Sequence, residues 1–483
     1  MTKVNIDLED PVLQKIKNHE YGQEVDSLKE YFSAENPTYR YLVAQSMATL
    51  QNKDMLDSLY TLLDDPVIKV GAMAAYAIGQ TADPASEEVL LKAFRQKDTM
   101  SVDNISNAAI LEALGKLGSD KLPELMIAAK GYRDTDTLLM RAKMKSLYRF
   151  ALRGIQSEKV SSFLIEKLRS PQLDSIARLY AAHCLARTKD LDIEKIKFQI
   201  AELFTQEKDI NVKMALALAL RNTSDKEIQN ILLDELQADN DPRVKINILK
   251  ALSNYSYIES AQLVTELIKS DNHQLAQSAC NFLFENGIKE DVPYYRQIAR
   301  ENLPWQIKAS LYKSITKLLP YYYSKSLNAV RWEIQQEIKD EQDTLAIAQY
   351  VRAFSHDPSS YTWIMDFLEK TENPMLKTAG VETIGQIISQ NGFDGFYKSY
   401  ASFHRKSILE FLKLEMENGD EGVIAAAADI IARPESKLSN LIDSTDFLFE
   451  LKSQLANPAQ IESIHALDRA IAQVRGVNTV KYT

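Results

Sequence analysis

The chain has 483 residues, of which 45% are hydrophobic and 26% are charged, a balance typical of folded proteins and not of disordered ones. A formal net charge of −10, from 57 lysines and arginines against 67 aspartates and glutamates, argues against duplex nucleic acid as the main ligand. Only 15 glycines and 14 prolines are present, which is too few for the turns of a β-protein of this length, so the composition favours helices.

The residues that could support a cofactor, metal or membrane function are few. Two cysteines, Cys184 and Cys280, can form neither a disulfide framework nor a four-ligand zinc site. No run approaches the ~18 consecutive apolar residues of a transmembrane helix. We therefore expect no cofactor, no metal site and no transmembrane segment.

Residues 1–36 are predicted to form N-terminal capping helices. The chain opens with polar residues, Met1 to Asp7, and lacks the charged-then-apolar pattern of an export signal. Two alternatives remain open for its location: a cytoplasmic protein, or an exported protein whose signal has been removed.

A repeated pattern occupies residues 37–389. An apolar anchor residue is followed four, seven and eight positions later by apolar or small residues, as in Val212 with Leu216, Ala219 and Leu220. This spacing marks one face of a helix. Successive anchors mostly lie roughly 30 to 40 residues apart, a period typical of helical hairpins. The anchors are Tyr39, Val70, Ser106, Met140, Ala177, Val212, Val244, Leu275, Ile307, Ala346, Leu376 and Val423.

A second apolar helical pattern follows each anchor helix after a short polar loop, for example Ile228, Ile231, Leu232 and Leu236. Each unit is therefore a helical hairpin that buries its apolar stripe only by stacking on its neighbours. The predicted fold is all-α, an α-α superhelix or solenoid of about twelve hairpins, with the second helices lining a concave face.

Local signals mark the helix boundaries. A capping side chain stands beside a proline before several anchors, at Asn36-Pro37, Asp65-Pro66, Asp241-Pro242 and Asn373-Pro374. A glycine follows the anchor by nine positions in three repeats, where we expect the left-handed conformation of a helix C-cap. These glycines are Gly79, Gly115 and Gly385.

The period lengthens between Leu376 and Val423, so residues 390–420 are predicted to be an irregular insertion or an enlarged repeat, with an extra helix or a longer loop. Residues 421–476 then form the C-terminal repeats and cap, and residues 477–483 form a tail.

The repeats resemble HEAT repeats. The resemblance is carried by Asp65-Pro66 before an anchor, by Val-Lys at 212–213 and 244–245, and by Ile78-Gly79 and Leu114-Gly115. Armadillo repeats, which have a third short helix, remain the alternative for the longer intervals. Either architecture indicates the binding of other macromolecules.

No catalytic motif with metal-ligand, phosphate-loop, nucleophile-elbow or dinucleotide spacing occurs in the sequence, and the six histidines fall in different repeats. We therefore predict no catalytic residue and no enzymatic activity for this chain. The motif Phe403-His404-Arg405 matches the Phe-His-Arg of cyclophilin active sites, but the sequence around it continues a helix, so we expect a chance match.

Two groups of residues are candidate binding sites. Arg141, Lys145, Arg149 and Arg153 follow one another at four-residue spacing, which aligns their charges along one helix flank; they are either a solvated face or a patch for an anionic partner.

The second candidate is an aromatic-rich region that contains all three tryptophans. Tyr321, Tyr322 and Tyr323 cannot all face inward from one helical turn, and Trp332 follows on the second helix of the same hairpin. These rings are either core residues or protein-binding anchors, since Tyr and Trp are enriched at interfaces.

Three segments give a closer resemblance. Asp10 to Ile16, Glu35 to Arg40 and Tyr76 to Thr81 are similar to the N-terminal HEAT region of bacterial envelope proteins that carry a cyclophilin-type peptidyl-prolyl isomerase domain. The resemblance implies a periplasmic or lipoprotein-anchored parent polypeptide, with this chain presenting substrates to the isomerase. No catalytic residue can be transferred to this chain, because the isomerase residues are absent from it.

The sequence thus predicts a protein-protein interaction scaffold whose protein or peptide partner lies on the concave face, with nucleic acid excluded. The alternative is a HEAT-fold enzyme such as a bilin lyase or a DNA glycosylase. Glycosylases of that kind resemble short basic solenoids, and the net charge of −10 argues against one.

Overall fold

The computed structural model describes residues 3–99, 104–129, 136–187, 193–238, 241–319, 324–455 and 460–476. Within these ranges the regular structure is α-helix with short 3-10 turns, and no β-strand occurs. The prediction of an all-α solenoid is confirmed. The chain divides into two compact units, residues 1–255 and 256–483.

Unit 1, residues 1–255, contains fifteen α-helices among its described residues. Its helices are α1 (Pro11–Tyr21), α2 (Val25–Leu28), α3 (Pro37–Leu50), α4 (Leu56–Leu62), α5 (Ile68–Gln80), α6 (Glu87–Thr99), α7 (Asn104–Leu117), α8 (Leu122–Ala128), α9 (Thr137–Leu152), α10 (Glu158–Arg169), α11 (Ser175–Arg187), α12 (Lys197–Gln206), α13 (Ile210–Ala219), α14 (Lys226–Gln237) and α15 (Pro242–Leu252).

Unit 2, residues 256–483, continues the same alternation of helices. Its helices are α16 (Tyr257–Leu267), α17 (His273–Asn286), α18 (Val292–Ala299), α19 (Trp305–Leu318), α20 (Ser324–Asp340), α21 (Thr344–Arg352), α22 (Tyr361–Leu368), α23 (Pro374–Ile388), α24 (Asn391–Tyr397), α25 (Ala401–Asn418), α26 (Glu421–Ala432), α27 (Asp446–Gln454) and α28 (Ile461–Val474).

Each predicted anchor is the third or fourth residue of a helix, which confirms the repeat period. Apart from Tyr39, the anchors are buried, because the stripe that begins at the anchor faces the core. Tyr39 is half-buried, and its hydroxyl donates a 2.9 Å hydrogen bond to Asp10. We call these twelve helices the anchor helices: α3, α5, α7, α9, α11, α13, α15, α17, α19, α21, α23 and α26.

The predicted caps are confirmed at three of the four Asx-Pro pairs. Asn36, Asp241 and Asn373 are N-caps whose side chains accept backbone N–H groups of the first turn, with proline at the first helical position. At Asp65 the helix begins later, at Ile68, and the carboxylate accepts the N–H of Val67 at 2.8 Å.

The glycine prediction is wrong. Gly79, Gly115 and Gly385 lie inside their helices with helical backbone, not at left-handed C-caps. Because glycine has no side chain, neighbouring helices can approach closely at these positions. A Cβ added at Gly79 would lie 2.7 Å from the Cα of Ala113, and one added at Gly115 would lie 2.7 Å from the carbonyl oxygen of Ser146. Both contacts join one anchor helix to the next.

The anchor helices form the continuous layer in each unit. In unit 1 each packs side by side on its successor, from α3 through to α15, whereas the second helices α8, α10, α12 and α14 contact one another much less. In unit 2, α17 packs on α19, α21 on α23, and α23 on α26. Exposed residues of neighbouring anchor helices therefore adjoin one another.

The span predicted as an insertion contains a short helix, α24, before the long helix α25. Lys398, between them, has a φ of 48°, a backbone conformation that side-chain-bearing residues rarely adopt. Among the described helices, none is both long enough and apolar enough to cross a membrane.

Candidate functional site

Of the four aromatic candidates, Trp332 is the one that the structure describes; Tyr321, Tyr322 and Tyr323 lie outside the described residues. Trp332 is 61% exposed on α20, while Leu327, Val330 and Ile334 form the buried stripe of the same helix. The ring is therefore on the solvent side of α20 and contributes little to the core.

Ion pairs hold α20 in place beneath this ring. The buried Glu333 accepts hydrogen bonds from Arg296, at 2.5 Å, and from Arg300. Arg331 donates to Asp357 at 2.7 Å and 2.9 Å. Since neighbours on both sides of Trp332 are fixed by charge-assisted hydrogen bonds, the helix presents the indole on a rigid support.

Several other rings between Tyr294 and Phe403 belong to the core. Tyr295, Tyr312 and Tyr350 are fully buried, and burial raises the pKa of each phenol above its ordinary value. The hydroxyl of Tyr257 contacts that of Tyr295, and burial is the main cause that raises the pKa of Tyr257 to about 12. Among the described residues between Tyr294 and Phe403, the exposed rings are Tyr294, Trp332, Tyr400 and Phe403.

In the basic stripe on α9, the two outer arginines have local partners. Arg141 pairs with Asp174 at 2.8 Å, and Arg153 donates to the carbonyl oxygens of Gly115 at 3.2 Å and Gly118 at 2.8 Å. Arg153 therefore closes the end of helix α7, and Arg141 links α9 to the start of α11.

The two inner cations of the stripe share one carboxylate. Lys145 lies 2.7 Å and Arg149 3.4 Å from Glu112 of α7, and Lys116 of the same helix is 3.7 Å away. Burial raises the pKa of Glu112, but the hydrogen bond from Lys145 and the neighbouring cations outweigh it, so the net pKa is lowered. Three cations therefore depend on a single negative charge.

Lys116 also belongs to this cluster, although its position in the sequence does not mark it as part of the stripe. Its ammonium donates to Gln80 at 2.8 Å and lies 4.0 Å from the centre of the Tyr76 ring. Burial lowers its pKa to about 8, with the nearby Arg149 and Lys145 acting in the same direction. Glu112 and Lys116 lie one repeat before the stripe, so only the stacking of α7 on α9 brings them together.

The Phe403-His404-Arg405 motif is structural. The buried Arg405 donates to the carbonyl oxygens of Ser436 at 2.9 Å and Ile388 at 3.2 Å and pairs with Asp394. The Nδ1 of His404 lies 2.5 Å from the Tyr361 hydroxyl. All three residues lie on α25, whose helical geometry gives no cyclophilin-like site.

The two cysteines and the possible metal ligands of the described chain form no further candidate site. Cys184 and Cys280 are buried, and burial raises the pKa of both thiols, to about 12 for Cys280. In the same ranges, no three histidine, cysteine or carboxylate side chains come close enough to hold a metal ion.

Comparison with known proteins gives one family match. A family model for HEAT repeats matches residues 25–105 and 198–283, which fall within the predicted repeat region. A search of curated proteins gave no match.

Solved structures share the fold at low identity. Kap95p, in a structure describing its binding to RanGDP, is similar with a TM-score of 0.55 and 13% identity over 94% of this chain and 66% of Kap95p. The Kap95:Nup1 complex gives a TM-score of 0.54 and 12% identity over 96% of this chain and 73% of that one. Kap121p gives a TM-score of 0.44 and 11% identity, covering 97% of this chain.

The chain spans 65% of the length of Kap121p and 64% of that of importin β. At these identities the likeness concerns the fold alone. Together with the helix pattern and the family match, it shows that this protein is an all-α solenoid that contains HEAT repeats.

Proposed function

We propose that this protein is a protein-interaction scaffold. The observation that carries the proposal is the continuous layer of anchor helices, which places exposed side chains of consecutive repeats next to one another. A partner can therefore contact several repeats at once. The described residues assemble no cluster of reactive groups that would favour the bilin lyase or glycosylase alternatives.

The packing also bears on where a partner would bind. In a bent stack of hairpins, the layer on the inside of the bend is the more closely packed one. Within unit 1, the close contacts at Gly79 and Gly115 therefore favour the anchor helices as the concave side, and not the second helices as expected from the sequence.

Kap95p provides a precedent for this use of the fold, since its structures describe complexes with RanGDP and with Nup1. We infer from the shared architecture only that a chain of this kind can hold another protein. The identity of the partner does not follow from the likeness.

We further propose a separate contact surface on the second-helix layer of unit 2, with Trp332 as its contact residue. Its ring is exposed while α20 is fixed by Glu333 and Arg331, so the indole can be buried by a partner without reorganising the helix. Trp332→Ala should weaken partner capture by about 2 kcal/mol, roughly 30-fold, with the melting temperature almost unchanged.

Trp363 provides the matched control. Its ring stacks on Phe367, with centroids 5.4 Å apart, and contacts the buried Phe354, so Trp363→Ala should cost about 3–5 kcal/mol of stability instead. Partners would be captured from a cell extract and located by cross-linking mass spectrometry. Capture that is equal for wild type and Trp332→Ala would remove Trp332 from the interface, and no protein recovered above background would refute the scaffold proposal.

A finer proposal rests on the resemblance of Asp10 to Ile16, Glu35 to Arg40 and Tyr76 to Thr81 to bacterial envelope proteins. In this proposal the scaffold presents substrates to a cyclophilin-type isomerase domain of the same polypeptide. That polypeptide would be periplasmic, either free or anchored as a lipoprotein. The test is the sequence of the complete gene: an export signal before this region and a Phe-His-Arg with Gln-Gly-Gly after it would support the proposal, and their absence would end it.

A further inference from the structure

Four anchor helices of unit 1 carry partly or fully exposed side chains at matching positions along each helix. On α7, Ile105, Glu112 and Lys116 follow at i, i+7 and i+11, which places them on one line along the helix. The same positions on α9 are Leu138, Lys145 and Arg149, on α11 they are Ile176, His183 and Arg187, and on α5 they are Lys69, Tyr76 and Gln80.

The contacts between helices confirm this register. Lys116 reaches Gln80 on α5 at 2.8 Å, and Lys145 and Arg149 on α9 reach Glu112 on α7. The rows are therefore continuous from helix to helix. Four cations occupy positions i+7 or i+11 on α7, α9 and α11, and we call them the cationic row: Lys116, Lys145, Arg149 and Arg187. We call the three residues at position i, Ile105, Leu138 and Ile176, the apolar row.

The cationic row carries an uncompensated positive charge on a chain whose net charge is −10. Lys116, Lys145 and Arg149 share Glu112, and the buried Nε of Arg149 has no hydrogen-bond acceptor within the described chain. One carboxylate therefore neutralises one of three positive charges, and the remaining two attract a further carboxylate to the accessible side of the cluster.

Aromatic rings accompany these cations. Tyr148, between Lys145 and Arg149 in sequence, lies with its centroid 5.9 Å from that of His183, and the Arg187 guanidinium lies 5.8 Å from the Tyr148 ring. The row can therefore contact apolar as well as anionic groups.

The apolar row points to a protein ligand. Ile105, Leu138 and Ile176 are all exposed, about 10 Å along their helices from the cationic row, since seven residues rise by 1.5 Å each. Nucleic acid would use additional cations along its backbone, whereas an amphipathic polypeptide segment uses both rows.

We propose that this face of α5, α7, α9 and α11 binds an acidic, amphipathic segment of a protein partner. Its carboxylates would pair with Lys116, Lys145 and Arg149, and its apolar side chains would cover Ile105, Leu138 and Ile176. The inference deepens the scaffold proposal and rests on it, by naming a surface and the chemistry of what it holds.

The test is selection from a displayed library of peptides of about 12 residues, in which acidic, neutral and basic compositions are equally represented. Wild-type protein should enrich sequences that combine Asp or Glu with aliphatic or aromatic residues. The double variant Lys145→Gln/Arg149→Gln should bind the enriched peptides at least about tenfold more weakly, because two of the three cations are gone. Leu138→Gln should also weaken binding, which a purely electrostatic contact would not show.

Two further variants complete the design. Lys159→Gln/Arg169→Gln on α10 removes the same charge from exposed ion pairs with Glu124 and Glu202, and its affinity should stay within about twofold of wild type. Glu112→Gln removes the shared carboxylate, frees the cations and should tighten binding. Circular dichroism melts confirm that each variant is folded.

The outcomes separate the two proposals. Enriched peptides that are not acidic, or whose capture survives Lys145→Gln/Arg149→Gln, overturn this site while leaving the scaffold proposal intact. The absence of any enriched peptide also overturns this site, and the scaffold proposal is then decided by the capture experiment. Tighter binding of a single-stranded RNA than of any enriched peptide, lost in the same double variant, would assign the face to nucleic acid instead.

Discussion

At the scale of single residues, His356 should make stability depend on pH. Its ring contacts Phe284 edge-on, at 5.3 Å between centroids. Burial lowers its pKa to about 4, with Lys313 and Lys317 acting in the same direction and Gln390 and Glu285 opposing them. The folded state thus holds the neutral ring, and the unfolded chain, with a pKa near 6.5, takes up the proton first.

Stability that is present above about pH 6.5 should therefore be lost as the pH falls towards 4, by about 1–3 kcal/mol from this residue. Urea unfolding at a series of pH values measures the slope. Carboxylates with lowered pKa values, such as Glu112, contribute to the same decline, so the comparison is with His356→Gln, whose slope should be shallower. Identical slopes for the two proteins would show that His356 does not contribute.

At the scale of helices, the glycines of the anchor layer should resist replacement. Alanine favours a helix by ~1 kcal/mol over glycine, yet at Gly115 the new Cβ meets the backbone of Ser146, which cannot rotate away. Gly115→Ala should therefore destabilise the fold by about 1–3 kcal/mol through overpacking. The measurement is the midpoint of chemical unfolding.

Gly392, on α24, is the control for this substitution. An added Cβ there would meet only Pro358, at 3.8 Å, so Gly392→Ala should be neutral or stabilising by up to ~1 kcal/mol. A gain in stability for Gly115→Ala would mean that the two anchor helices can separate without cost.

Some features of the helices could be predicted from the sequence and others could not. The helix starts were predictable because their signals are local: a 3.6-residue apolar period, an Asx cap and a proline lie within a few positions of each other. The role of Gly115 could not be predicted, because it depends on the distance to a helix about 30 residues later in the chain. A glycine near a helix end has the same sequence signature whether it caps the helix or packs against a neighbour.

The candidate sites, too, were predicted from the sequence only in their local features. The i, i+4 spacing correctly aligned Lys145 and Arg149, but their partner Glu112 lies on the preceding anchor helix and has no signature in the local sequence. Trp332 could be placed on a helix but its exposure could not be predicted, since a tryptophan in an apolar region is compatible with both core and surface. The cationic row and the apolar row became visible only once the register between helices was known.

At the scale of the whole molecule, stability should decrease in steps as repeats are removed. A chain ending after Asn418 lacks α26, so it exposes the surface of α23 around Gly385, which packs against Ile430 of α26. It should lose several degrees of melting temperature yet still unfold cooperatively, because each repeat depends mainly on its neighbours. Removal of the next hairpin should cause a further loss. A truncated chain that is wholly unfolded would contradict this and indicate a single indivisible cooperative unit.

The unequal packing of the two helix layers has a mechanical consequence in unit 1. Gly79 and Gly115 bring neighbouring anchor helices into backbone contact, so stretching this layer would break close packing at once. The second helices touch one another less and can splay or approach at lower cost. We therefore expect the anchor layer of unit 1 to keep its length under load. Bending of unit 1 should instead change the spacing between its second helices.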